Sequence, residues 1–125
     1  MKKILPLLLG CLCLIHSAIG AASLSALVIK KGQPTLTVFL PSNPSTGYSW
    51  YLENYQDNKL LPLSYEYLAP VSEVVGAAGT AKFTFKIKPG MTIMKHQMTV
   101  ITFRSLRPFE GLVGSKTQKV AVIYG

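Results

Sequence analysis

The chain has 125 residues, with 13 Lys and Arg against 5 Asp and Glu and a formal net charge of +8. That length suits one domain with a modest core and is too short for two. Both cysteines, Cys11 and Cys13, lie within the first 22 residues, and the rest of the chain is cysteine-free, which excludes a disulfide framework, a thiolate metal site and a cysteine nucleophile there. The basic residues are scattered, and Lys30-Lys31 is the one adjacent pair beyond the first three positions. Nucleic-acid binding uses a clustered stripe or a stacking motif, and neither is present.

Residues 1–22 read as a secretory signal. Lys2 and Lys3 supply the positive start, residues 4–15 are apolar apart from Pro6 and Gly10, and small residues follow, so that cleavage is expected after Gly20 or Ala22. The apolar stretch falls short of the roughly 18 residues a membrane span needs. Leu8-Leu9-Gly10-Cys11 has the look of a lipid-attachment box, but cleavage there would leave almost no apolar segment ahead of it. The expectation is a secreted or periplasmic protein, not inserted in the membrane after cleavage, whose working part is a single domain of residues 23–125. That domain keeps eleven basic residues against five acids, a net charge of about +6, which favours solubility and mild steering towards an acidic partner.

Period-two alternation follows. Residues 25–30, 35–40, 48–54 and 63–68 read as strands. Phe83, Phe85 and Ile87 share one face of another, with Lys82, Thr84, Lys86 and Lys88 opposite. Residues 98–103 are rich on both faces, predicting a central strand buried on two sides. Val120, Val122 and Tyr124 alternate with Lys119, Ala121 and Ile123. Residues 72–78 could support one helical turn, though their glycine argues against more. Seven or eight short strands rich in Val, Ile, Thr, Tyr and Phe predict an all-β, immunoglobulin-like antiparallel sandwich, with a small closed barrel as the alternative. Trp50 is expected in the core, and Tyr65 and Tyr67 on one half-exposed strand face.

Catalytic chemistry finds little material. The single histidine beyond residue 22 is His96, there is no nucleophile elbow, and the acids Glu53, Asp57, Glu66, Glu73 and Glu110 are dispersed. The Gly76–Gly79 stretch is followed by no Lys-Ser/Thr and opens no helix, so it is not a phosphate loop. Neither an enzyme nor a bound cofactor is expected.

Three turns stand out instead. In Asn43-Pro44-Ser45-Thr46-Gly47-Tyr48, Pro44 fixes φ near −65° and Gly47 permits a positive φ, making a tight, stiff turn with a small polar tip. Asn43 is placed to bond back to the turn's backbone. Gly76-Ala77-Ala78-Gly79 lacks bulk and charge, so its backbone can approach another chain closely. Arg107-Pro108-Phe109 holds a cation and an aromatic, both typical interface anchors, on a proline-stiffened turn. Alternate turns of a sandwich emerge at one end, so the three together would make a composite binding edge.

In order and spacing these motifs resemble the chagasin-type inhibitors of cysteine peptidases, whose pattern is Asn-Pro-Thr-Thr-Gly-Tyr/Phe, then Gly-x-Gly-Gly, then Arg-Pro-Trp/Phe. The resemblance spans essentially the whole of residues 23–125. It implies tight, reversible, non-covalent inhibition of papain-family (cathepsin L-like) peptidases by a monomer. Thr46 would sit closest to the enzyme's catalytic Cys and His, residues 76–79 along the unprimed side of the cleft, and Phe109 on an aromatic of the primed side. The departures are Ser45 for Thr, which loses a methyl, and Ala78 for Gly, where Ala resists the positive φ that Gly accepts. The other reading of the residues is a secreted adhesion or carbohydrate-binding module with Tyr65, Tyr67 or Trp50 as its platform.

Overall fold

Alternating apolar and polar residues place one face of each strand against a partner sheet and the other towards solvent, and two facing sheets result. The computed structural model describes residues 21–71, 76–89 and 96–124. Its strands are β1 (Ala21–Ile29), β2 (Thr35–Ser42), β3 (Ser49–Asn54), β4 (Leu60–Leu68), β5 (Gly79–Ile87), β6 (Met98–Leu106) and β7 (Lys116–Tyr124). One sheet has the order β1-β7-β6-β3 and the other β2-β5-β4. The expected immunoglobulin-like sandwich is therefore present with seven strands. β1 opens at Ala21, between the two expected cleavage positions. Among the described residues no helix is long and apolar enough to cross a membrane.

Every hydrogen-bonded strand pair is antiparallel except β1 with β7, which runs parallel from Ala21↔Lys116 to Ile29↔Tyr124. The expected antiparallel sandwich thus carries one parallel pair, at the edge of the four-stranded sheet. Parallel neighbours must be joined by a long connection, and here the connection is the rest of the domain. The chain leaves β1 through a turn closed by Gln33 N–H donating to the Lys30 carbonyl, with Gly32 at φ 83°, and crosses to the other sheet to begin β2.

The core lies between the inward faces. Leu36, Val38 and Leu40 of β2, Ala81, Phe83, Phe85 and Ile87 of β5, Ile101 and Phe103 of β6 and Val120, Val122 and Tyr124 of β7 are all buried. Phe103 joins the sheets, its ring centroid 4.7 Å from Phe83 and 6.4 Å from Phe85. Strand β6 is buried on one face, not two. Thr99, Ile101, Phe103 and Ser105 face inward, while Val100, Thr102 and Arg104 are half-buried and Met98 is exposed. Among the described residues no third layer covers the outer face of the four-stranded sheet, and one solvated face is normal for antiparallel strands.

Trp50 packs against the core from β3, and its indole N–H donates to the Pro41 carbonyl at 2.7 Å, pinning the end of β2 to the other sheet. Tyr65 leans on Phe83 with centroids 4.9 Å apart, and the Tyr67 ring closes over Gly79. These rings are components of the sandwich, and the carbohydrate-platform reading gains no support from them.

Truncating Phe103 to Ala would empty the contact between the sheets, and Phe→Ala in a core costs about 3–5 kcal/mol. Urea unfolding should show a loss of that size with an unchanged denaturant slope.

Candidate functional site

Strand register brings the three turns to one end. Ser42 pairs with Gly79, Leu68 with Thr80, Ser49 with Leu106 and Ser105 with Lys116, so the β2–β3, β4–β5 and β6–β7 connections leave the sandwich side by side. The β2–β3 turn is the middle of the three, because it bonds to both of the others.

That middle turn is built locally. Pro44–Thr46 form a single 3-10 turn, with Thr46 N–H donating to the Asn43 carbonyl at 3.1 Å and Gly47 N–H to the Pro44 carbonyl at 2.9 Å. Gly47 has φ 88°, where an L side chain is strained, and a Cβ there would lie 3.4 Å from Arg107 Nε. The Thr46 hydroxyl donates to the Asn43 carbonyl at 2.7 Å, and the Ser45 hydroxyl donates to Asn43 Oδ1 at 2.6 Å. Pro44, Ser45 and Thr46 remain exposed at the tip.

Asn43 departs from expectation. Its side-chain amide bonds to no backbone group of its own turn; Nδ2 donates to the Gly76 carbonyl at 3.1 Å, 33 residues along the chain. On the other flank, Arg107 Nε donates to the Thr46 carbonyl at 2.9 Å while its guanidinium lies 4.5 Å from the centroid of the Tyr48 ring. The same guanidinium meets the Glu110 carboxylate at 3.3 Å. A hollow of about 640 Å³ beside the middle turn is lined by Asn43, Thr46, Tyr48, Trp50, Ser105 and Arg107, among others.

In the second turn the described part begins at Gly76, so Val74 and Val75, and the start of the helical turn expected over residues 72–78, lie outside the described residues. Gly76 is exposed with φ 85°, and nothing lies within 4 Å of where its Cβ would be. Among the described residues the one non-glycine with positive φ is His96, at 61°. Ala78 therefore sits in ordinary backbone and is exposed, Ala77 is half-buried, and replacing the pattern's Gly by Ala at 78 carries no backbone strain. Gly79 opens β5 and is buried. A Cβ on it would collide with the Leu68 carbonyl and the Tyr67 ring. Its place is at the foot of the turn, not the tip.

In the third turn Pro108–Glu110 form another 3-10 turn, with Glu110 N–H donating to the Arg107 carbonyl at 2.9 Å. Phe109 projects from it, 80 % exposed. Sequence reasoning stopped at Phe109 and missed Leu112 and Val113, which are 67 % and 75 % exposed on the same connection. An apolar pair between two glycines was the available signal.

His96 precedes β6, whereas the turns follow its other end, so about 30 Å of strand separates them at roughly 3.3 Å per residue. No group of three or more His, Cys, Asp or Glu converges among the described residues. The three turns thus share one edge of the sandwich, with a stiff central turn, a backbone-rich flank and an apolar flank.

Residues 29–123 match the model of the Chagasin family peptidase inhibitor I42, and the chain belongs to that family. It is 27 % identical to chagasin of Trypanosoma cruzi over 100 residues, covering 77 % of this chain and 84 % of that protein. Among solved structures it resembles PbICP-C, determined in complex with falcipain-2, with a TM-score of 0.62 and 15 % identity over 90 % of this chain and 96 % of that one. It is also similar to the cysteine protease inhibitor EhICP2 of Entamoeba histolytica, with a TM-score of 0.53 and 22 % identity over 81 % of this chain and 96 % of that one.

Replacing Arg107 by Ala removes a charged hydrogen bond, worth about 1.5–3 kcal/mol, and an exposed cation–π contact of about 0.5–1 kcal/mol. The exposed pair with Glu110 adds little. Thermal unfolding should fall by several degrees, and amide exchange at Thr46 and Gly47 should accelerate before that of the β-strands.

Proposed function

We propose that this protein is a secreted or periplasmic, reversible inhibitor of papain-like cysteine peptidases that fills the active-site cleft with the Asn43–Tyr48 turn, the other two turns gripping its sides. The observation that carries the reading is the double tether of the middle turn, through Asn43 to Gly76 and through Arg107 to Thr46. A loop already held in one shape loses little conformational entropy on docking. Family membership supplies the class of partner, and the complex of the similar PbICP-C with falcipain-2 supports the same kind of target. The Lys2-Lys3 start, the apolar run and the small residues up to Ala22 support export.

The chemistry explains why such a plug is not cut. A peptidase cleaves an extended segment whose carbonyl it can attack, and the middle turn is closed by two successive hydrogen bonds around Pro44. Thr46 brings a small hydroxyl, not an electrophile, to the catalytic Cys and His, so no covalent bond forms. Gly76, Ala77 and Ala78 offer main-chain groups to the unprimed side, with Gly79 supporting them from below. Pro108 and Phe109 cover the primed side, the exposed ring packing on an apolar surface there.

Titrating the mature protein into papain and a cathepsin L-type enzyme with a fluorogenic substrate should give stoichiometric, reversible inhibition in the nanomolar range. No inhibition by the folded protein at micromolar concentration overturns the reading. Thr46→Arg should raise the inhibition constant at least a hundredfold while costing no more stability than the lost bond to Asn43, about 1 kcal/mol; equal inhibition would remove the middle turn from the mechanism. Phe109→Ala should weaken binding by about 2 kcal/mol, the hot-spot scale, and an unchanged constant would make that ring a bystander.

A further inference from the structure

We infer that Leu112 and Val113 form a second apolar anchor beside Phe109, seated on an apolar surface of the target peptidase just beyond the primed side of its cleft. This rests on the inhibitory reading above and extends the contact past the three motifs.

Single exposed apolar side chains are ordinary on protein surfaces. Here Phe109, Leu112 and Val113, all between 67 % and 80 % exposed, crowd into five consecutive positions of one connection. None of them belongs to the core cluster or packs against it. The segment is also held at both ends. Gly111 (φ 63°) and Gly114 (φ 72°) bracket the pair, and Ser115 N–H donates to the Leu112 carbonyl at 3.1 Å, closing the turn. Ser115 is buried, and its hydroxyl accepts from Arg104 Nη1 at 2.9 Å while Arg104 Nε bonds Glu53. Pre-set presentation of apolar side chains is the property that lowers the cost of association.

Continuity with the docking edge selects the occupant. Gly114 lies so close under the Tyr48 hydroxyl that a Cβ there would come within 2.8 Å of it. The turn carrying Leu112 and Val113 thus abuts Tyr48 of the middle turn and belongs to the same connection as Phe109, so a body docked on Thr46 and Phe109 is the nearest occupant for the pair. The exposed apolar residues Val28 and Met98 lie at the far ends of their strands, away from this edge. Peptidases with charged side chains on that part of their surface would be held less tightly, so the pair sets target preference as well as affinity.

The test compares the purified protein with the double variant Leu112→Ser, Val113→Ser and the conservative variant Leu112→Met, Val113→Ile, all against papain. Serine suits a turn, and both glycines stay in place. The serine variant should dissociate at least tenfold faster at an unchanged association rate, the usual signature of a lost short-range contact, with the unfolding curve unmoved. The conservative variant should inhibit like the parent. Parent-like inhibition by the serine variant, alongside weakened inhibition by Phe109→Ala, overturns this inference and leaves the function standing. An unchanged inhibition constant with loss of a concentration-dependent dimer in sedimentation would assign the pair to a second copy of this chain, and overturns it too. A folded parent that inhibits no papain-like peptidase removes both readings together.

Discussion

The guanidinium of Arg107 is the junction on which the shape of the three-turn edge depends. It bonds the Thr46 carbonyl, covers the Tyr48 ring and meets the Glu110 carboxylate, and these groups come from two connections about sixty residues apart. A planar group with several donors in a fixed fork can satisfy such a set at once, which a lysine ammonium cannot do. Gly47 completes the arrangement, since its bare Cα leaves room for the arginine stem. The cation that reads in the sequence as an interface anchor is largely committed to shaping its own protein.

The same economy runs through the whole edge. Asn43 ties the middle turn to the second, Gly79 lets the second sit close over β4, and Gly114 lets the third sit close under Tyr48. Small residues stand where chains must approach, and polar side chains reach across where chains must be joined. The tips of the turns are left with little internal work: a hydroxyl-bearing centre, a bare backbone on one side and hydrocarbon on the other.

Much of the fold was legible because alternation reports a one-sided strand directly. The inward faces of β5 and β7 follow Phe83-Phe85-Ile87 and Val120-Val122-Tyr124 as read. The pattern fails where local geometry breaks the period. In β4 a register shift between Pro62 and Ser64 interrupts the strand, so that its first residues do not alternate and Leu60 went unread. Strand β6 looked two-sided because apolar residues on an outer face cannot be told from buried ones by hydropathy alone. The parallel pairing of β1 with β7 leaves no local signature at all. At the candidate site, motif residues were recognisable from Pro and Gly punctuation, whereas the bonds Asn43–Gly76 and Arg107–Thr46 depend on register between distant strands and lie beyond any local pattern. Leu112 and Val113 were missed because an apolar pair between glycines looks like the start of a strand.

The pairing of β1 with β7 has a consequence for the order in which the molecule can assemble. Among the described strands β1 hydrogen-bonds only to β7, its partner at each position lying about 95 residues further on, as in the side-chain bond between Ser23 and Gln118. Closing so long a loop costs entropy before any contact repays it, and topologies dominated by distant pairings fold on the slow, millisecond-to-second side. During synthesis the first strand of the sandwich has no partner until the last one emerges, so the chain stays open for most of its own production. Completion of the four-stranded sheet therefore waits for β7, the strand that joins β1 to β6.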